Sequence, residues 1–403
     1  MTSRQKSILG VLAATACVLV GLVLLAVTQT YQAWARQPLG PALSTLPPTP
    51  LPPTWTAPPI ASLPPIATAT VTSLPPQATL ALAIPTEPLR ITPAPSETSA
   101  SSLARCGGPE VMHLLLIGSD QRGDSYAYGL GDVIRLARVD FVVPRVTVLE
   151  FPRDLWVQIP DIADNLHGQD HERLNQAYLY GNAGFGYTDD PAQGPGLMAR
   201  TLALNFGVQA DHYAAVNMRT FEKIVDALDG IDLYLPESMD FLTADTARPK
   251  RMVLPQGWNH LNGNEALWLA RLREEGVFER AASQNQILCA LRQKLTQPEV
   301  LPRLPQLIQS FQDNIQTDLS PEQIGQLACL GPLIQPGNVV FVSFPQEEFK
   351  QSWMIDPVFK KEVFVWDVDF DVLREYVVKF QSGEWPAPTF PGQPAIQNQL
   401  NCQ

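Results

Sequence analysis

Two aspartates and five arginines, spread over residues 120–280, are the side chains whose types and spacing could do chemistry here: Asp120, Arg122, Asp132, Arg153, Arg271, Arg273 and Arg280, with Gln284 one helical turn beyond the last. Two carboxylates near strand ends suit a divalent cation such as Mg²⁺ or Mn²⁺. Such an ion takes one or two carboxylates and leaves the rest of its shell to water and phosphate oxygens. Several guanidinium groups suit a dense anion such as a pyrophosphate. Taken singly, each has a plainer reading: aspartates in Gly-rich turns that accept backbone hydrogen bonds, a surface Arg153–Asp154 pair, and a polar helix face for Arg280 and Gln284.

The surrounding pattern says what must position them. Val111–Ile117 is a short apolar run ending at Gly118, which reads as a buried central strand carrying Asp120 at its exit. Val133–Val139 and Val146–Phe151 are β-branched runs separated at Pro144; the first begins at Asp132 and the second leads into Pro152-Arg153-Asp154. Gly196–Phe206 and Thr220–Leu228 have helical spacing, stopped by Gly207 and Gly230, and Ile231–Leu235 reads as a strand. Asn262-x-x-Glu265 predicts a capped helix that carries Arg271 and Arg273. Those two arginines would diverge by about 200° on a regular helix, so either the helix ends there or one of them is solvated. Ser320-Pro321-Glu322-Gln323 predicts a second capped helix. A strand at Asn338–Phe344 and a helix at Phe370–Phe380 follow. The alternation predicts one α/β or α+β domain over 106–385, with a mixed central sheet flanked by helices, and a polar tail over 386–403 unless Cys402 pins it.

The first quarter of the chain is built differently. Ile8–Val27 is an uncharged run of 20 residues preceded by Arg4 and Lys6. It is long enough to span a bilayer and is oriented by its flanking charges with residues 1–7 in the cytoplasm. Ala14-Thr15-Ala16-Cys17 loosely resembles a lipoprotein cleavage box, but the leading Leu is absent and apolar residues continue past Cys17, so the expectation is an uncleaved anchor in the cell membrane. Residues 28–105 are rich in Pro, Thr, Ala and Ser and read as a semi-extended spacer outside the cell. The net charge of −12 argues against a nucleic-acid partner. The five histidines are scattered and no Cys/His spacing suggests zinc.

The motifs, in order, resemble those of the LytR-CpsA-Psr family of extracytoplasmic phosphotransferases over about Met112–Leu291. They are an apolar strand into Gly118-Ser119-Asp120-x-Arg122, Asp132 twelve residues on, Pro152-Arg153-Asp154, Leu174-Asn175-Gln176-Ala177-Tyr178, Val225–Asp232, and Leu261-Asn262-Gly263-x-Glu265-Ala266-Leu267 into Arg271-x-Arg273; the later Asp313–Ser320 stretch is also similar. The resemblance implies transfer of a glycan from a polyprenyl-pyrophosphate carrier to a cell-wall hydroxyl, forming a phosphodiester. It implies Asp120 and Asp132 as ligands of Mg²⁺ or Mn²⁺, and Arg122, Arg153, Arg271, Arg273, Arg280 and Gln284 as pyrophosphate-binding, with Asp120, Asp132, Arg153 and Arg271 carrying the catalysis. Three places depart from the family pattern. Leu130 stands where an Arg is usual; Val277, Arg280, Ser283 and Gln284 fill the later Asp-x-x-Arg-x-x-Arg-Gln positions; and Glu150-Phe151 leads into the Pro-Arg. The Leu130 departure leaves open a non-catalytic protein that binds polyprenyl pyrophosphates or glycans, and water in place of the acceptor leaves open a pyrophosphatase acting on lipid pyrophosphates. Outside the anchor, Cys106, Cys289, Cys329 and Cys402 allow three full pairings. The expectation is a Cys289–Cys329 bridge, because both fall on predicted helices flanking Leu301–Thr317.

Overall fold

The computed structural model describes residues 35–44 and 104–402, apart from 124, 186, 244–248, 273–276, 304–306, 308–310, 312–313, 357–358 and 388–398. Its strands and helices in chain order are β1 (Val111–Ser119), β2 (Gly131–Asp140), β3 (Arg145–Glu150), β4 (Trp156–Gln158), β5 (His171–Arg173), α1 (Leu174–Gly181), α2 (Gln193–Phe206), β6 (His212–Asn217), α3 (Met218–Ala227), β7 (Ile231–Leu235), β8 (Met239–Leu242), β9 (Arg251–Leu254), β10 (Gly257–Leu261), α4 (Gly263–Ala270), α5 (Val277–Leu295), β11 (Gln316–Thr317), α6 (Pro321–Leu330), β12 (Val339–Ser343), β13 (Phe349–Ile355), β14 (Glu362–Val368), α7 (Phe370–Ser382) and β15 (Gln399–Asn401).

Seven strands form the central sheet in the order β11-β6-β1-β2-β3-β12-β15. It is mixed: β1 runs antiparallel to β2 and parallel to β6, and β12 runs parallel to β3. The mixed sheet between helices is the architecture that the alternating sequence pattern predicts. Register decides which side chains share a face. Leu115 lies opposite Leu136, and Leu136 opposite Leu149, all fully buried. These residues face a core closed by Leu197, Met198 and Leu202 of α2 and by Leu373, Val377 and Phe380 of α7. Each such side chain contributes roughly 1.5–3 kcal/mol on burial. Leu116, Arg135 and Ala214 are matched on the other face, beneath α3, α4 and α5.

The helix boundaries follow from the predicted signals. Asn262 accepts from Glu265 N at 3.0 Å while the Glu265 carboxylate accepts from Asn262 N at 3.0 Å, a complete capping box. Ser320 and Gln323 make the second, with Pro321 at the first helical position. Gly207 ends α2 with φ at 72°, the left-handed region that favours glycine. The predicted anchor at Ile8–Val27 lies outside the described residues; among those described, no helix is long and apolar enough to cross a membrane. Most of the predicted spacer also lies outside them. Residues 35–44, at its start, lie against the domain: Leu39 N donates to Leu319 O at 3.2 Å and Tyr213 Oη donates to Pro41 O at 3.1 Å.

The cysteine pairing differs from expectation. The bridges are Cys106–Cys329 and Cys289–Cys402, not Cys289–Cys329. Each helix cysteine meets a segment from one end of the domain rather than the other helix. Cys106 sits in a short turn whose Gly107 carbonyl accepts from Gln326 of α6, and Cys402 follows β15, which pairs antiparallel with β12. The tail is therefore pinned, and it supplies a sheet edge. Non-reducing peptide mapping is expected to recover these two pairs and no Cys289–Cys329 peptide. Opening the 113-residue loop by changing Cys289 and Cys402 to Ser together should cost up to about 4–5 kcal/mol in the chain-entropy account, read as a lower denaturant midpoint.

Candidate functional site

β1 and β2 deliver the two aspartates to one sheet end. Asp120 leaves β1, and its carboxylate accepts from Leu130 N at 2.7 Å while Asp120 N donates to Leu130 O at 3.0 Å. This two-way bond closes the 121–129 loop onto the strand. Gly129 is required in that loop, because a Cβ there would overlap Ser119 Oγ and crowd Gln121. Burial pushes the Asp120 carboxyl above its usual range. The Asp132 charge adds to that, while the Leu130 N–H, Arg153 and Arg271 pull it back.

Asp132 is the meeting point of three elements. Arg153, at the end of β3, donates to its carboxylate at 2.6 Å; Asn175, in the first turn of α1, donates at 3.3 Å; and Arg280 of α5 donates to its backbone carbonyl at 2.7 Å. Burial alone would raise its pKa, but the charges of Arg153 and Arg280 and the Arg153 and Asn175 hydrogen bonds outweigh it and hold the carboxyl below the usual range. Arg153 also donates to Asp154 at 3.2 Å. Burial pulls the Arg153 guanidinium down, and its two carboxylate partners raise it above the ordinary value.

Asp120 and Asp132 line a cavity of about 340 Å³ whose other lining groups are mainly apolar, among them Leu116, Val133, Val216, Phe221, Leu267 and Ile287. Arg122, Arg271 and Arg280 line it too, with Gln284. Helix α4 stops at Ala270, so Arg271 turns off the helix end, its guanidinium 5.0 Å from the Trp268 ring. This is the first of the two arrangements the sequence allowed for Arg271; Arg273 lies outside the described residues. Arg153 does not line the cavity. It stands behind Asp132 and fixes it.

Sequence reasoning gave Arg135 no leading role, yet it is the largest fully buried side chain. Its guanidinium donates to Asn285 Oδ1 at 2.6 Å, and to Glu150 and Gln284 at 3.1 Å each, while its buried Nε has no hydrogen-bond partner. Burial pulls its pKa down and Glu150 opposes that. The signal was available: a lone charged residue at an inward position of a buried strand needs a carboxylate and amides around it.

Arg122, Arg135, Arg153, Arg271 and Arg280 stand against Asp120, Asp132, Glu150 and Asp154, a formal excess of one positive charge. Among the described residues there is no cluster of three or more His, Cys, Asp or Glu able to hold a metal. Two neighbouring carboxylates, the Asp132 charge raising the Asp120 carboxyl, fit an ion that takes its remaining ligands from water and phosphate, and do not fit a structural metal.

Behind α1 lies a second buried charge group. Glu172 is fully buried, one carboxylate oxygen accepts from Arg173 N at 2.8 Å, and its pKa is pushed up to about 7 by burial, with the charge of Asp356 adding to it. A carboxyl raised in the folded state binds protons that the unfolded chain has lost. Its contribution to stability is therefore intact below about pH 4.5 and erodes as pH rises to about 7, by at most about 3 kcal/mol. Glu172→Gln should flatten that part of the stability–pH curve, read from urea midpoints at pH 5 and pH 8. An unchanged difference between the two midpoints would assign the slope to other groups.

Regulatory protein MsrR of Staphylococcus aureus (strain COL) is 27% identical over 218 residues, 53% of this chain and 58% of that protein. The polyisoprenyl-teichoic acid–peptidoglycan teichoic acid transferase TagU of Oceanobacillus iheyensis is 26% identical over 222 residues, 54% of this chain and 62% of that protein. The chain thus matches about three-fifths of the length of these relatives. Two crystal structures, of B. subtilis TagV and of protein gbs0355 from Streptococcus agalactiae, each superpose with a TM-score of 0.52. They are 20% and 19% identical, cover 68% of this chain in both cases, and are themselves covered over 98% and 88%, a likeness that establishes the fold. Residues 95–362 match the LytR_cpsA_psr family, and the chain belongs to that family.

Proposed function

We propose that the protein transfers a glycan, carried as a polyprenyl-pyrophosphate ester, to a hydroxyl of a cell-wall polymer. The observation that carries the reading is the juxtaposition of Asp120, Asp132, Arg271 and Arg280 in the lining of a mainly apolar cavity. An apolar cavity suits a prenyl chain, and guanidinium groups in its lining suit the pyrophosphate attached to that chain. The relative TagU, a polyisoprenyl-teichoic acid–peptidoglycan teichoic acid transferase by name, supports the same class of donor and acceptor. The protein would act outside the cell, anchored through Ile8–Val27.

In this reading the acceptor oxygen bonds to the glycan-side phosphorus and the phosphoanhydride bond breaks. The electron pair and the acceptor's proton leave on the polyprenyl monophosphate. Asp120 and Asp132 would hold Mg²⁺ or Mn²⁺, which would supply charge neutralisation for the transferring phosphoryl group. Arg271 and Arg280 hold the phosphates. Arg153 keeps Asp132 ionised and oriented, so its part is positioning. The catalytic contribution is electrostatic and preorganised, since the guanidiniums already rest on fixed partners before substrate arrives.

The Leu130 departure leaves Asp120 intact, because the residue at 130 serves it through backbone N–H and C=O alone. Turnover in the natural sequence is therefore expected, measured as lipid monophosphate released from a labelled donor in the presence of wall fragments. Arg271→Ala and Asp132→Asn should each lower it by about 10²–10³. Arg153→Ala should lower it comparably through the loss of Asp132. Leu130→Arg should raise it. Should no monophosphate form with Mg²⁺ or Mn²⁺, and Leu130→Arg restore none, the protein is a binder rather than a transferase. Release of the same size without acceptor would make it a pyrophosphatase.

Metal binding has its own expected outcome. Calorimetry should find Mg²⁺ or Mn²⁺ binding that strengthens when pyrophosphate is present, and Asp132→Asn should remove most of that coupling. Coupling that survives the substitution would place the ion elsewhere.

A further inference from the structure

The β13–β14 ribbon carries a row of aromatic rings that the site described above does not use. Strict antiparallel register places Phe349, Gln351, Trp353 and Ile355 on one face, opposite Val368, Trp366, Phe364 and Glu362. The rings meet edge to face in sequence: Phe349 to Trp366 at 5.9 Å, Trp366 to Phe364 at 5.0 Å, and Phe364 to Trp353 at 5.9 Å. The row begins in the core, where Phe349 is 8% exposed, and ends at Trp353, 65% exposed. Ile355, on the same face, is 55% exposed, and Phe359, in the turn that joins the two strands, is 65% exposed. Trp366 and Phe364 are half-buried, so the row opens to solvent at its Trp353–Ile355 end, and an exposed apolar end of this kind marks an interaction surface.

The row is tied to the candidate site. Trp366 N donates to Asp154 O at 2.9 Å; Asp154 holds Arg153, and Arg153 holds Asp132. It also stands on the other side of the sheet from the apolar cavity. Phe349 and Val368 belong to the core on the Leu115–Leu136–Leu149 face, whereas Leu116, Val133 and Arg135 line the cavity on the opposite face. Asp132 and Arg153 stand at the sheet end between the two.

We propose that the aromatic row of β13–β14 binds the acceptor: a linear glycan of pyranose rings, led along the ribbon so that a hydroxyl reaches the Asp132 end of the sheet. The proposal rests on the transfer reading for the word acceptor, and on the ribbon alone for the word glycan. A pyranose offers an apolar C–H face and a polar hydroxyl rim. The ribbon answers with rigid rings and with the exposed side chains of Gln351 and Glu362 on the same face. An anionic bilayer is the poorer match, because residues 346–368 carry five carboxylates against three lysines. A donor lipid held on one face also leaves the opposite face as the approach for the second substrate.

The test uses the full-length protein, with Trp353→Ala, Phe359→Ala, the pair combined, and Trp353→Phe. Each is titrated calorimetrically with soluble, uncross-linked peptidoglycan strands and with a polyprenyl-pyrophosphate saccharide, and each is floated with phosphatidylglycerol vesicles. The combined variant is expected to weaken strand binding at least about tenfold and to raise the acceptor KM with kcat little changed. Donor affinity should stay at the natural value, and Trp353→Phe should keep most of the strand binding. Because Trp353 and Phe359 are exposed, thermal unfolding should be unaltered. Strand binding and acceptor KM unchanged in the combined variant would overturn the proposal, as would a loss seen in donor or vesicle binding instead. If no variant and no natural protein turns over, the transfer reading fails, yet the strand titration still decides whether the ribbon is a glycan site.

Discussion

The structure depends on keeping the Asp132 carboxylate charged where water is scarce. Burying an ion without partners costs far more than a domain can spare, so three chain segments far apart in sequence converge on Asp132. The exit of β3 and the start of α1 bond its carboxylate through Arg153 and Asn175, and α5 brings Arg280, bonded to the Asp132 backbone carbonyl with its charge 3.9 Å from the carboxylate. Each contact fixes something larger. Arg153 holds the exit of β3, Asn175 fixes the first turn of α1 at the sheet end, and Arg280 ties α5 across the cavity face. A charged side chain that needs three partners thereby specifies where three elements end, a use of buried polar groups that goes beyond whatever net stability the ion pair adds.

Arg135 does the corresponding work one layer deeper. It is opposite Leu116 in the register, on the cavity face, and Glu150 lies opposite it on β3. Gln284 and Asn285 close the cage from α5. The cavity therefore combines a mainly apolar lining with Arg135, matched by Glu150, and with Asp120, Asp132, Arg122, Arg271 and Arg280. A ligand with both an apolar chain and an anionic head suits such a lining better than a uniformly polar one.

Much of this was legible in the sequence, for local reasons. Both capping boxes, the glycine stops and the β-branched strands are encoded within a few residues, and they appear as read. Asp120, Asp132, Arg271, Arg280 and Gln284 were readable as one group only because their motifs occur in a known order; no local signal brings Gln284 to within 3.1 Å of Arg135. The role of Arg153 shifted for a reason the sequence does not hold. A Pro-Arg-Asp at a strand end says that the guanidinium is near the sheet rim, not that a carboxylate on the neighbouring strand will claim it. The disulfides were misread for a similar reason: helix positions of Cys289 and Cys329 say nothing of which face each presents, and the partners came from the ends of the domain. The aromatic row of β13–β14 was hidden because Phe349, Trp353, Phe364 and Trp366 become neighbours only through register.

The Leu130 departure can be placed by asking which guanidinium has room to act in its stead. Arg135 does not: it is fully buried, balanced by Glu150 and held by three acceptors, so moving it would strip a buried cation of its partners. Arg153 is committed to Asp132 and Asp154. Arg122 differs from both. It is exposed, lines the cavity, and rides on the loop that Asp120 and Leu130 close between them. A long, solvated side chain on that loop can reach a phosphate there at the cost of its own rotamer entropy alone, about 2 kcal/mol. An Arg at position 130 would avoid part of that cost only if its side chain were held by packing. Leu130 therefore removes a guanidinium beside Asp120, and Arg122, eight residues earlier on the same closed loop, is the one with room to reach a phosphate in its place.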